Sequence, residues 1–106
     1  MKKKELEMRD IEDLLQALAV YMYMNSEEND DEIEEISPGL QRIDALTLLA
    51  KVKIALGYNT DTKRFLDVAI GMNILREENG VVEFINRETL DYFVFEGLEN
   101  GVDKVI

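Results

Sequence analysis

The chain has 106 residues, with 12 Lys and Arg against 23 Asp and Glu, a formal charge of −11. That length suits one compact domain and not two, and 46% apolar residues is too many for a disordered acidic tail. No Cys and no His occur, which excludes disulfides, thiolate zinc sites, Cys nucleophiles and the commonest general base. A catalyst would have to rely on carboxylates, Lys, Tyr, Ser or Thr, and no Gly-rich phosphate loop is present because all six glycines are isolated. An enzyme is therefore not expected, nor a metal or other cofactor. The longest apolar run, Ala17 to Met24, is far short of the ~18 residues needed to span a bilayer. Met-Lys-Lys-Lys is followed by Glu5-Leu6-Glu7 and not by an apolar signal core. A cytoplasmic single domain over residues 1–106, with no membrane association, is the expectation.

The charge is unevenly spread. Residues 1–43 carry 5 basic and 12 acidic side chains, residues 44–90 carry 6 and 7, and residues 91–106 carry 1 and 4. The middle is nearly neutral between acidic flanks.

The first element is expected at residues 5–24. Met8, Ile11, Leu14, Leu15, Leu18 and Met22 recur at three- and four-residue spacing, one stripe of a helix. From Ala17 onward the helix is apolar all round. Such a helix must be covered on every side, either as a central core element or as a subunit interface. The interface reading makes it the dimerisation helix of a homodimer, with Leu18, Val20, Tyr21, Met22 and Met24 between copies, since Tyr and Met are common at interfaces. On that reading Val20 and Met24 lie beyond the monomer's core, and changing either to Glu gives a monomer or an insoluble chain.

Residues 26–37 form an acidic linker, with seven acids between Glu27 and Glu35. The run lacks the central Gly and alternating ligands of an EF-hand loop and does not read as a calcium site. Ser37-Pro38-Gly39 breaks the chain. A second helix follows from Ile43 to Leu56, expected to be the most buried because its polar stripe is only Asp44, Thr47 and Lys51, with Lys53 snorkelling outward. Gly57 suits its C-cap. Asn59 or Thr60 then caps a third helix at about residues 61–72, with Phe65, Val68, Ala69 and Met72 inward, ended by Asn73 in left-handed geometry.

Asn79-Gly80 between β-rich flanks is a strong two-residue hairpin signal. It sets Glu78 opposite Val81, Arg76 opposite Glu83 and Leu75 opposite Phe84, pairing base with acid and aliphatic with aromatic. Asn86 caps a last helix at 87–99, with Leu90, Phe93 and Val94 on one stripe. The fold class is mainly α with one β-hairpin.

Helix, tight turn, helix and hairpin is the order of a winged helix-turn-helix, and residues 49–84 resemble that family. Ala55-Leu56-Gly57-Tyr58-Asn59-Thr60-Asp61-Thr62 resembles the segment before a recognition helix. Ala69-Ile70-Gly71-Met72-Asn73-Ile74-Leu75-Arg76 resembles the junction between recognition helix and wing, with Asn73 where the family usually has Gly. The resemblance implies a helix-turn-helix plus wing at 43–86, with an added N-terminal and C-terminal helix. It further implies a DNA-binding transcriptional regulator whose double-stranded DNA contacts come from Lys51, Thr60, Thr62, Lys63 and Arg64, and a wing tip built on Arg76, Asn79 and Gly80. Arg64 would pair with guanine and Lys63 and Lys51 with phosphate.

The charges also support another reading. Asp61 and Asp67 lie on or near the reading face, and Glu77 and Glu78 flank the hairpin tip, where phosphate neutralisation would want cations. An acidic winged helix can instead dock on a basic nucleic-acid-binding protein by imitating phosphate charge, and viral inhibitors of host defence are sometimes built this way.

Overall fold

The computed structural model describes residues 8–29, 39–57 and 61–104, without the side chains of 25–29. Among them are four α-helices and a small antiparallel sheet, so the chain is mainly helical. The chain order is α1 (Met8–Asn29), β1 (Gly39–Gln41), α2 (Arg42–Leu56), α3 (Thr62–Gly71), β2 (Leu75–Glu78), β3 (Val81–Phe84) and α4 (Arg87–Glu99), closed by a 3-10 turn at Val102–Lys104. No described helix is long and apolar enough to cross a membrane.

α1 is the central element. Residues 14 to 20 are all buried, because α4 and the 3-10 turn pack on one side of it and α2 on another. Each fully buried Leu there contributes roughly 1.5–3 kcal/mol relative to exposure. This makes α1 a central core element and puts Val20 inside the single chain's core, whereas the interface reading places it beyond. Leu18, Val20 and Met22 are buried within the single chain, Tyr21 and Tyr23 are half-buried against its core, and only Met24 is exposed. The reason is Gly97, whose missing side chain lets α4 approach: a Cβ built there would stand 2.7 Å from Val20 Cγ2 and 3.2 Å from the Gln16 carbonyl oxygen. Buried Gln16 accepts a 3.1 Å hydrogen bond from Asn100 Nδ2 beside that contact.

α1 also runs further than expected, through Asn29. Residues 26–29 of the expected linker are its last turn, since Glu favours helix and no Gly or Pro intervenes. The rest of that linker lies outside the described residues, as do Ser37 and Pro38.

α2 is not the most buried helix. It buries Ala45, Leu48, Leu49 and Val52 against the core but leaves Ile43 and Ile54 largely exposed, because α1, α3 and the strands cover only one side of it. Lys53 is half-buried. Gly57 ends the helix at φ 79°, its amide donating to the carbonyl of Ile54.

The hairpin has the expected register, Leu75↔Phe84, Arg76↔Glu83 and Glu78↔Val81. Asn79 and Gly80 both take positive φ, 55° and 78°, the geometry a two-residue hairpin turn requires. Unforeseen is β1, which pairs with β3 through Gly39↔Glu83 and Gln41↔Val81 and makes the strand order β1-β3-β2. A three-residue strand gives no alternation to read. Its consequence is positional: the Arg42 amide donates to the Gly80 carbonyl (2.9 Å), tying the start of α2 to the hairpin tip. Asn86 caps α4, its Oδ1 accepting from the Thr89 amide and hydroxyl, both at 2.8 Å. Phe84 of the sheet meets Phe93 of α4 with ring centroids 5.9 Å apart, closing the core between sheet and helix.

Candidate nucleic-acid interface

The start of α3 is built by Asp61. Its Oδ1 accepts from the Lys63 amide at 3.0 Å and the Arg64 amide at 3.4 Å, an N-cap. Asn59 and Thr60, expected as the cap, lie outside the described residues, and so does Thr60 as an expected DNA contact. Asp61 is thus a structural acid that satisfies α3's first amides.

α3 buries Phe65, Leu66 and Ala69. Leu66 replaces the expected Met72, which is exposed, while Val68 is half-buried. The helix ends at Gly71 and the chain turns at Asn73 (φ 66°) before Met72 could reach the core. With that face inward, Lys63, Arg64 and Asp67 share the outward face and Thr62 is half-buried at its edge. Lys63 and Arg64 have no ion-pair partner among the described residues, and neither does exposed Lys51 on α2.

The other cations nearby are engaged. Arg42 bridges α3 to the hairpin, with Nη1 2.6 Å from Glu77 Oε1 and Nη2 3.5 Å from Asp67 Oδ1. Arg76 donates through Nε to Glu83 Oε2 at 2.8 Å, and its Nη2 lies 2.8 Å from the same oxygen. Asp67 and Glu77, the acids that would repel phosphate, therefore face a guanidinium (Glu78 at the tip has no such partner among the described residues). Of the expected wing residues, Asn79 and Gly80 make the turn and Arg76 is held across the strands.

Sequence reasoning missed Arg42. It lies 25 residues from Asp67 and 35 from Glu77, and only β1, itself unforeseen, brings it to the hairpin. Among the described residues no cluster of three or more acidic side chains is arranged to hold a metal ion. Comparison with protein-family models, curated proteins and solved structures finds no match for this chain, so the reading rests on these residues themselves.

Proposed function

We propose that the chain is a winged-helix DNA-binding protein that regulates transcription, with α3 as the helix laid in the major groove and the β2–β3 hairpin as its wing. One observation carries the reading: Lys63 and Arg64 stand exposed on the first turn of α3 without an ion-pair partner among the described residues, while the neighbouring acids Asp67 and Glu77 are occupied by Arg42. Free cations meet phosphate or base edges, and acids already paired repel less. The strand β1 adds support by fixing the hairpin to the start of α2, and Arg42 ties both to α3 through Asp67. Arg64 has the planar fork that pairs with guanine, and Lys63 and Lys51 supply point charges for phosphate.

A second copy is not required to cover α1, so one chain on one duplex site is the starting stoichiometry. The second reading, an acidic module docking on a basic protein, is favoured by Glu78, exposed and unpaired among the described residues at the hairpin tip, where phosphate contact would want a cation. Chemical-shift mapping with duplex DNA separates the two. The DNA reading expects perturbed amides over α3 and the hairpin tip, none over α4, and loss of the response in Lys63→Ala/Arg64→Ala. An unchanged spectrum at low salt would overturn it.

A further inference from the structure

Among the described residues, α4 leaves a second face largely exposed. Its inner side, Leu90, Phe93, Val94 and Gly97, closes on the core. At ~100° per residue, the side chains within about 60° of Phe95 on the outside are Glu88, Asp91, Tyr92, Leu98 and Glu99. Tyr92, Phe95 and Leu98 are 58%, 60% and 46% exposed, and Glu88, Asp91 and Glu99 are exposed as well. Three large apolar side chains and three carboxylates share that face, and among the described residues the cation beside it is Arg87. Arg87 stands at the edge of this face, 3.1 Å from Asp91.

We propose that this outer face of α4 docks a Lys/Arg-bearing amphipathic segment of a partner protein. The charge pattern decides the occupant. A second copy packed antiparallel about Phe95 would match Tyr92 to Leu98, but it would also set Asp91, with a single Arg87 beside it, against Glu99 of the other copy, twice, between chains each carrying −11. A basic amphipathic helix reverses that sign: its apolar side chains cover Tyr92, Phe95 and Leu98, and its cations meet Glu88 and Glu99 on either side of the Arg87-paired Asp91. Aromatic anchors within a charged rim are the composition of an interface core. Tyr92 is already braced, its ring edge-on to buried Phe93 at 5.0 Å, so little freedom is lost on docking. This site does not rest on the DNA reading and uses none of its residues.

The test is a calorimetric titration of the full chain with a synthetic Leu/Lys peptide patterned as an amphipathic helix, and with a peptide of the same composition in scrambled order. The patterned peptide should bind about tenfold or more tightly than the scrambled one. Tyr92→Ser/Phe95→Ser should weaken it about tenfold or more with circular dichroism unchanged. Glu88→Gln/Asp91→Asn/Glu99→Gln should flatten its salt dependence, and Lys63→Ala/Arg64→Ala should leave it unaltered. Equal affinity for both peptides, or none lost in Tyr92→Ser/Phe95→Ser, would reduce the effect to diffuse attraction and overturn the proposal. So would light scattering that finds a dimer dissociated by Phe95→Ser, which would give the face to a second copy.

Discussion

Gly97 and Val20 are packed so closely that any side chain at position 97 collides with the valine: a Cβ there would lie 2.7 Å from Val20 Cγ2. The backbone carbonyl of Gln16, 3.2 Å away on the same side, blocks escape. Gly97→Ala should therefore destabilise the fold by about 1–3 kcal/mol, the usual range for overpacking. Val20→Ala opens a cavity and also destabilises, but the double variant should lose less than the sum of the two. Urea denaturation of all four proteins measures the coupling, and strict additivity would mean that the helices do not meet at this pair.

The same contact changes what a charge does on α1. Val20→Glu buries a carboxylate inside the single chain and should unfold it, a loss of several kcal/mol. Met24→Glu, at an exposed position, should stay within about 0.5 kcal/mol of the parent. Thermal melts with light scattering check both. Matched behaviour of the two variants would restore the subunit-interface reading of the helix.

The caps separate stability from binding. Asn86→Ala removes the acceptor for Thr89 and should cost about 1 kcal/mol, with no effect on DNA. Asp61→Ala loses a comparable cap from α3 but also removes an exposed acid just before Lys63 and Arg64. Its stability should fall by about 1 kcal/mol while its affinity for duplex DNA rises. Denaturation and a binding titration on the same preparations read both signs.

Arg42→Ala should lower stability by about 1 kcal/mol or less, because the bridge is partly exposed and open to screening. The deficit should shrink at high salt. DNA affinity should fall by more than that stability loss implies, since Asp67 and Glu77 are left unopposed beside α3. A variant with parental affinity would show that the bridge has only a structural role.

These contrasts also mark what the residues reveal on their own. The hairpin was legible to the register because Asn-Gly, the Arg76–Glu83 pair and the Leu75–Phe84 pair are local and agree. The caps of α2 and α4 and the left-handed Asn73 were legible for the same reason. Which of its two readings α1 takes was not legible, because its apolar surroundings come from α4, some 80 residues later, through a glycine whose role is the absence of a side chain. β1 is too short for a period, and Arg42 depends on it. In the candidate site, Lys63 and Arg64 could be placed outward from the α3 stripe alone. The neutralisation of Asp67 and Glu77 could not, because it is a long-range pairing.

The central claim is that α3 meets duplex DNA through Lys63 and Arg64, and the salt dependence of binding tests it most directly. The logarithm of the binding constant should fall linearly with the logarithm of salt concentration. Lys63→Ala should make that slope shallower by about one unit for the lost phosphate contact. Arg64→Ala should weaken a preferred sequence more than a random one, by about 1–3 kcal/mol. Binding with a slope unchanged by both substitutions, or no binding at low salt, would contradict the account.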